Sequence, residues 1–443
     1  MKATPAIKLY AAILLVIFAG IVIHAPLSVG LGVLFPQFDL AIKTWKEILM
    51  LAALAVAIVI VTRRGMWKEL FNDWIMRLIA AFAALHVLLI PVFYSGPLPT
   101  VAGLVIDLRY LLFFALVYVL LKLAPGYRRL MLQVGLAGAF VVVGFATMQF
   151  FLPPDILTHI GYGRDTIMPY LTIDKNTDYI RVNSTLRGPN PLGAYAVIVL
   201  SVLAAAITRQ WLNLRDSRVR LWSFVLFVCS ATALWISYSR SALVAAAIGI
   251  GIVLFLTVFR KFSPRMWITT IVIVGAIAGS LIAGLGGSFV SNVLLHENPE
   301  GGSSVSSNEE HFSSLGVGFE RLISQPLGAG VGSTGSASLF GDESIVIENQ
   351  YLFIAHESGW LGLGLFIAIF AAVLFGLWKK RADWLALGVF ASGVALGAIG
   401  LLQPVWVDDT VSIVWWGLAA VALTTGGKNA GRAKSKQKTA RAV

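Results

Sequence analysis

Long apolar runs, separated by short polar stretches, dominate the pattern of this 443-residue chain. Most runs are about 18–25 residues long, which is the length an α-helix needs to cross a bilayer. They predict an all-α, polytopic membrane protein with about 12 transmembrane helices. The predicted spans are residues 9–34, 46–62, 74–93, 102–121, 130–152, 189–208, 221–238, 241–259, 266–286, 350–377, 384–403 and 411–425.

The stretch 221–259 contains no proline and no long polar loop, only Ser237-Tyr238-Ser239-Arg240-Ser241 near its middle. As one helix, its 39 residues would be about 58 Å long, nearly twice the thickness of the hydrocarbon core. We therefore predict two spans joined by a very tight reversal.

Composition and charge support a polytopic membrane protein and indicate how the chain is oriented in the membrane. The chain is 58% hydrophobic and 13% charged, whereas a soluble domain is about a quarter charged. With a cytoplasmic N-terminus, 25 of the 34 Lys and Arg residues fall on the inner side, as the positive-inside rule requires. The net charge of +12 is thus a topology signal, and no nucleic-acid partner is predicted. Both termini are predicted to be cytoplasmic.

The same assignment predicts a membrane domain over residues 1–425 and a disordered basic tail over 426–443. The apolar run after the N-terminal lysines continues to about Phe35 without a cleavage site, so we expect a retained first span. Two long outer-face loops are predicted at about 153–188 and 287–349, and loops of that length are usually functional or disordered.

Several charged residues fall on the outer side or inside a span. Lys43 and Lys46 flank a span and are interpreted as interfacial side chains. Asp408 and Asp409, in the last outer loop, are expected to be a solvated pair rather than a cation site. Arg109 lies within the fourth span, about 200° around the helix from Asp107, so each is expected to find a partner on another helix or in a polar cavity.

Arginines collect among the remaining outer-side residues. Arg240 is at the apex of the reversal, Arg181 and Arg187 precede the sixth span, and Arg321 is on an amphipathic piece of the second loop. The planar guanidinium suits bidentate contacts with phosphate. Each residue alone is compatible with a structural role, but as a set they predict a phosphate site. A lipid pyrophosphate is the anion expected at that depth.

Ionisable residues also open the apolar run at 348–362. If it is helical from Glu348 onward, Asn349 and His356 share one face. Glu348 is either a carboxylate that caps the helix N-terminus or a general base. His356 is interpreted first as a hydrogen-bonded interior histidine, and Gly359 and Gly362 predict close helix packing.

Other chemistries have no matching motif. The chain contains no Walker loop, no Cys/His cluster of metal-ligand spacing and no outer-side Asp-x-Asp. We therefore predict no cofactor, no metal and no ATP-driven step.

Four short motifs follow one another between residues 187 and 362. They are Arg187-Gly-Pro-Asn190-Pro-Leu-Gly-Ala-Tyr195, Ser239-Arg240-Ser241-Ala242, Gly318-Phe-Glu-Arg321 followed by Gln325-Pro326-Leu-Gly328-Ala-Gly330-Val-Gly332, and Glu348-Asn349-Gln-Tyr351-Leu352 with Glu357-x-Gly359-x-x-Gly362. With these motifs in this order, the chain resembles the O-antigen ligase and polymerase superfamily of bacterial envelope glycosyltransferases over about residues 180–375.

The resemblance implies transfer of a glycan from undecaprenyl pyrophosphate to an acceptor hydroxyl at the outer face of the bacterial inner membrane. It implies that Arg240 and Arg321 stabilise the leaving group and that Glu348 is the acceptor-activating base. Well-known ligases have His followed by Asn at that place, whereas this chain has Glu348-Asn349. The predicted substrate-binding residues are Arg109, Arg181, Arg187, Asn190, Asn349 and His356.

Two alternatives stay open at this point. A polymerase would join lipid-linked repeat units with the same donor and the same arginines. A solute or lipid transporter would explain the spans and the embedded charges, but not the crowding of charge in the outer loops. The expected partners are a polyprenyl-pyrophosphate-linked glycan donor, a glycan or lipid acceptor, and membrane lipids.

Overall fold

A computed structural model describes residues 4–173, 176–263, 307–341 and 344–424, with isolated positions between 265 and 280. Regular structure in these ranges is almost entirely helical. The helices are α1 (Pro5–Gly20), α2 (His24–Leu34), α3 (Asp39–Arg63), α4 (Trp67–Asn72), α5 (Trp74–Leu89), α6 (Pro97–Leu123), α7 (Arg128–Gln149), α8 (Pro189–Thr208), α9 (Ser217–Ile236), α10 (Arg240–Thr257), α11 (Ser307–Ser324), α12 (Gly335–Ser338), α13 (Gln350–Lys379), α14 (Trp384–Ile399) and α15 (Asp409–Leu423).

In the described part of the chain, eight helical stretches are long and apolar enough to cross a membrane, and three shorter apolar helices accompany them. Eleven predicted spans coincide with these helices, while the predicted span 266–286 lies almost entirely outside the described residues. The all-α, multi-pass membrane architecture is therefore confirmed, and the total of 12 spans stays a prediction. The eight long stretches are Pro5–Leu34, Pro36–Arg63, Pro97–Leu123, Pro125–Gln149, Pro189–Thr208, Ser217–Ile236, Arg240–Thr257 and Gln350–Lys379.

The tight reversal predicted within 221–259 is present. α9 ends at Ile236 and α10 begins at Arg240. Tyr238, between them, has a φ of 46°, in the left-handed region, and this conformation turns the chain within three residues. Ser237 Oγ accepts a hydrogen bond from Ser239 N at 3.2 Å and holds the turn.

A small antiparallel hairpin is the exception to the all-helical pattern. Strands β1 (Tyr170–Ile173) and β2 (Asn176–Val182) pair within the predicted outer loop 153–188. Tyr179 on β2 packs edge-on against Tyr238, with ring centroids 6.3 Å apart. The hairpin therefore lies against the reversal between α9 and α10.

Contacts between helix connections define two ends of the bundle. Arg209 Nη2 donates to Arg381 O at 3.0 Å, and the Arg128 guanidinium lies 3.7 Å from the Asp383 carboxylate. These residues belong to connections that were predicted to lie on the inner side, and we name this the basic end. The opposite end, where α8, α10, α13 and α15 begin, is named the site end. The side of the membrane that each end faces stays a prediction from the charge pattern.

Helix α15 is the most enclosed element of the bundle, because every one of its residues is buried. Trp415 and Trp416 on α15 pack with Trp406, with ring centroids 5.1–5.8 Å apart. In lipid, helices associate through close packing rather than through exclusion of water. The surrounding helices therefore pack directly on α15, and its first residue, Asp409, lies inside the protein.

Glycines let α8 approach α10 and α14 closely. A Cβ atom added to Gly388 on α14 would lie 2.6 Å from Val202 Cα on α8, and one added to Gly193 on α8 would lie 2.7 Å from Ala242 Cβ on α10. Neither distance leaves room for a methyl group, so both contacts depend on glycine.

We expect Gly388→Ala to destabilise the protein by about 1–3 kcal/mol, because the new methyl group must push α14 away from α8. Gly364→Ala on α13 is the matched control, since no atom lies within 4 Å of the added Cβ. Thermal unfolding in detergent, followed by tryptophan fluorescence, measures both. Equal midpoints for the two variants would contradict the close α8–α14 contact.

Candidate functional site

The connection between α14 and α15, residues 400–408, contacts the start of α13. Gln350 N donates to Gly400 O at 2.8 Å, and Asn349 Nδ2 donates to Leu401 O at 2.7 Å. These bonds join the entry of α13 to the 400–408 connection, and they satisfy a backbone N–H that the first turn of a helix leaves free.

The same connection contacts α10 and α6. Gln403 Nε2 donates to Ser241 Oγ at 2.6 Å, next to Arg240. The Arg109 guanidinium, on α6, donates to Val407 O. Three helices that are distant in sequence therefore meet at one short segment of the site end.

Arg181 and Asn190, both predicted to bind substrate, lie against the α9–α10 reversal. Arg181 Nε donates to Ser237 O at 2.9 Å, and its Nη2 donates to Asn190 Oδ1 at 2.5 Å. Arg240 begins α10 three residues after Ser237 and is half-buried. The hairpin, the start of α8 and the reversal thus bring Arg181, Asn190 and Arg240 to one place.

A buried ion-pair cluster lies beside the 400–408 connection. The Asp409 carboxylate is 1% exposed, and it lies 3.1 Å from Lys46 Nζ, 3.2 Å from His24 Nε2 and 4.0 Å from Arg187 Nε. Two predictions were wrong here. Asp409 is not part of a solvated pair, because α15 is buried from its first residue. Lys46 is 2% exposed and not interfacial, because its side chain points to Asp409 inside the bundle.

Asp107 and Arg109 have partners on other helices, as predicted. Glu47 Oε1 on α3 lies 3.9 Å from Arg109 Nη1 and 3.2 Å from Lys46 Nζ. Asp107 Oδ2 lies 3.2 Å from His86 Nε2 on α5. Arg109 is 7% exposed, so its guanidinium holds α3 and the 400–408 connection together more than it faces a substrate.

The charges of the cluster affect the titration of the groups at its edge. The Asp409 carboxylate raises the pKa of Arg187, whose side chain is 48% exposed. Burial raises the pKa of Asp408 to about 6, and the charge of Asp409 acts in the same direction. Arg187 therefore stays protonated, and part of its side chain remains exposed to water.

Asn349 caps α13, which begins at Gln350 rather than at Glu348. Asn349 Oδ1 accepts hydrogen bonds from Tyr351 N at 2.9 Å and Leu352 N at 3.0 Å. The predicted capping role of Glu348 was therefore wrong, since asparagine at the N-cap already satisfies these amides. Glu348 precedes the helix, is half-buried, and its backbone N donates to Ser314 Oγ at 2.8 Å.

Helix α13 is broken at Gly359, where φ is +67° and ψ is −169°. The span predicted over 350–377 therefore coincides with Gln350–Lys379 but contains a break that the sequence pattern did not predict. The His356 carbonyl accepts from Ala329 N at 2.6 Å, the Glu357 carbonyl accepts from Gly330 N at 3.2 Å, and Trp360 N donates to Pro326 O at 2.9 Å. Residues 325–335, which we name the glycine-rich segment, thus replace the helical hydrogen bonds that the break removes.

Close backbone approach explains the glycines on both sides of this contact. A Cβ at Gly359 would lie 2.6 Å from Leu327 C, and one at Gly103 on α6 would lie 2.6 Å from Gly332 Cα. Gly359 therefore contacts the glycine-rich segment rather than a neighbouring helix, which corrects the predicted helix packing. Gly362 does face a helix, since Leu85 on α5 lies 3.5 Å from its added Cβ.

Glu357 is a buried carboxyl group that the site prediction omitted. It is 1% exposed, its Oε1 accepts from Thr334 N at 3.3 Å, and its Oε2 has no hydrogen-bond partner among the described residues. The signal in the sequence was an acidic residue inside an apolar run, two positions before Gly359.

His356 is on α13, and Arg321 is on α11, the helix that packs against it. The His356 side chain is fully buried next to the glycine-rich segment, so it is not at an open surface. Arg321 is half-buried on α11, which packs against α13 and is held there by the hydrogen bond from Trp360 Nε1 to Leu322 O at 2.7 Å.

The predicted site residues thus form two groups, one at the 400–408 connection and one at α11. In the described ranges, no set of three or more His, Cys, Asp or Glu residues has the geometry of a metal site. No family model matches the chain, and no curated protein matches it. The group at the 400–408 connection contains Arg109, Arg181, Arg187, Asn190, Arg240 and Asn349, and the group at α11 contains Arg321, His356 and Glu348.

We expect Lys46→Met to lower the free energy of unfolding by about 3–5 kcal/mol, because Asp409 then keeps a buried charge without its nearest cation. Lys43→Met is the matched control on the same helix, since the Lys43–Asp39 pair is about half exposed and is expected to contribute less than about 1 kcal/mol. Unfolding of both variants in detergent tests this. Adding Asp409→Asn to Lys46→Met is expected to restore part of the lost free energy of unfolding. Equal effects of Lys46→Met and Lys43→Met would contradict the buried pairing of Lys46 with Asp409.

Asp408→Asn is expected to change how stability depends on pH. Since the pKa of Asp408 in the folded protein is raised to about 6, the folded state binds a proton more tightly than the unfolded state. The wild type therefore loses stability relative to Asp408→Asn as pH rises from about 4 to about 6, by at most about 3 kcal/mol. The asparagine side chain keeps an oxygen that can accept the hydrogen bond from Val411 N at the start of α15, so the N-cap is retained. Unfolding midpoints of the two proteins from pH 4 to 7 measure the difference, and parallel curves would contradict it.

Proposed function

We propose that the protein is a membrane glycosyltransferase of the bacterial inner membrane. It moves a glycan from a polyprenyl-pyrophosphate carrier to an acceptor hydroxyl at the outer face. The observation that carries the proposal is the gathering of Arg181, Arg187 and Arg240 around the site end of the bundle, the end at which Glu348 precedes α13.

The three arginines suit a pyrophosphate at the membrane surface. Arg187 has half of its side chain exposed beside the start of α8. The guanidinium of Arg181 is held by Ser237 and Asn190, so its orientation is fixed before a ligand arrives. Cations that are fixed in advance stabilise developing negative charge without the cost of rearranging in the transition state.

The reaction needs one base and several cations. The acceptor oxygen attacks the anomeric carbon of the glycan, and the bond from that carbon to the pyrophosphate oxygen breaks. The electron pair leaves with the pyrophosphate, where Arg240 and Arg321 stabilise the charge. The proton of the acceptor hydroxyl passes to the Glu348 carboxylate. A polymerase would use the same step with a second lipid-linked repeat unit as acceptor.

A transporter is the second candidate, and the break in α13 favours it. Transporters often bind their substrates and ions where a membrane helix is interrupted, and ionisable residues inside a span are commonly functional. Gly359 interrupts α13 two residues after the buried Glu357, which lies near Asp107 on α6. In the glycosyltransferase proposal this carboxyl pair has a structural role, whereas in a transporter it would carry protons.

The proposal is tested in the host by deleting the gene and complementing it with variants. We expect Arg240→Ala to lower transfer by about 100-fold to 1,000-fold through loss of leaving-group stabilisation, and Glu348→Gln by at least about 100-fold through loss of the base. Arg321→Ala is expected to resemble Arg240→Ala. Surface and lipid-linked glycans are measured by electrophoresis and mass spectrometry.

Two exposed residues give matched controls. Arg164→Ala removes an exposed arginine from the loop before the hairpin, and Glu320→Gln changes the exposed neighbour of Arg321. Both are expected to retain activity. Long chains that remain on the polyprenyl carrier would indicate a ligase, and single repeat units on the final acceptor would indicate a polymerase. Unchanged glycans in the deletion strain would overturn the proposal, and a loss of proton-dependent transport in Glu357→Gln would favour the transporter.

A further inference from the structure

An apolar cavity of about 460 Å³ lies among α7, α8, α9 and α15, away from the site end. Its walls are almost wholly hydrocarbon and aromatic, and Arg218 is the one charged residue among the described residues that line it. Leu136 and Trp222 line the cavity and are also exposed, at 50% and 59%. The cavity is therefore open toward the apolar surface of the bundle. Further lining residues are Phe140, Val199, Leu203, Leu226 and Leu418.

The length of the cavity matches one leaflet of a bilayer. Its lining on α8 runs from Tyr195 to Ala206, which is about 17 Å along a helix. Half of a hydrocarbon core is about 15 Å thick. The cavity reaches from the basic end, where Trp211 and Trp384 line it, to the middle of the bundle. These dimensions suit an acyl chain that enters from the leaflet at the basic end.

The polar groups at the open end favour a negatively charged headgroup. Arg215, Arg218 and Arg220 are exposed, and none of the described carboxylates lies within 4 Å of their guanidinium groups. The one acidic residue nearby in sequence, Asp216, caps α9 by accepting from Arg218 N at 2.9 Å. Basic residues at the end of a membrane helix attract anionic lipids.

The tryptophans place this end of the cavity at an interface. Trp211 stacks on Trp384 with ring centroids 4.1 Å apart, and Trp211 is 54% exposed. Tryptophan is enriched where the hydrocarbon core meets the headgroups. The Arg218 guanidinium is therefore at the depth of a phospholipid phosphate, while the cavity below it is at the depth of the acyl chain.

We propose that this cavity binds one acyl chain of an anionic phospholipid whose phosphate lies at Arg218. The site is separate from the glycan-transfer proposal, because it lies at the other end of the bundle and shares no residue with the predicted site. Its role is to fix α7 and α9 to α8 at the basic end.

The test uses the full-length protein in detergent, with phosphatidylglycerol or phosphatidylcholine of equal acyl length, and native mass spectrometry to measure bound lipid. We expect phosphatidylglycerol to bind more tightly. Arg218→Gln is expected to weaken its binding about fivefold and leave phosphatidylcholine unchanged. Arg220→Gln is the matched control, because Arg220 is exposed on the same helix and does not line the cavity. Leu136→Trp, at the open side, is expected to reduce binding of both lipids.

Three outcomes would overturn the proposal. Equal binding of the two lipids to the wild type would show that the cavity does not select a charged headgroup. Equal losses of binding in Arg218→Gln and Arg220→Gln would show that the position of Arg218 at the cavity does not matter. Binding of a polyprenyl phosphate in preference to phosphatidylglycerol would assign the cavity to the donor carrier instead. Glycan transfer is measured separately, so a failure here does not bear on the proposed function.

Discussion

The pairing of the Asp409 carboxylate inside an apolar bundle is the constraint on which the site end depends. A buried charge is costly unless it is paired and hydrogen-bonded, and a lipid environment makes it costlier. Lys46 from α3 and His24 from α2 lie within 3.2 Å of this carboxylate, and Arg187 reaches it from the start of α8. The position of α15 therefore fixes three other elements, and through them the 400–408 connection.

The balance of charge within the buried cluster limits what its cations can offer to an anion. Within the cluster, the positive charges of Lys46, Arg109 and Arg187 face the negative charges of Glu47, Asp408 and Asp409. A pyrophosphate gains little from cations that are already neutralised. Arg187, at the open edge of the cluster and paired with Asp409, therefore contributes less to the proposed phosphate site than its exposure alone would indicate.

The sequence was sufficient for features that depend on local pattern and insufficient for those that depend on distant contacts. The apolar runs and the reversal at Tyr238 follow from residues within one segment, and both agree with the structure. Lys46 and Asp409 are 363 positions apart, so neither residue alone shows that it is buried against the other. The break at Gly359 depends on the docking of residues 325–335, which no periodicity in α13 reveals.

The broken helix also links the two groups of candidate residues. Because the glycine-rich segment completes the hydrogen bonds at Gly359, the first part of α13 is a short rigid unit with its own fixed ends. Asn349 ties the start of this unit to the 400–408 connection, while Trp360 just beyond its end ties it to α11 and so to Arg321. The first part of α13 thus joins Arg321 to the 400–408 connection, and a change at the break would alter their spacing without touching either.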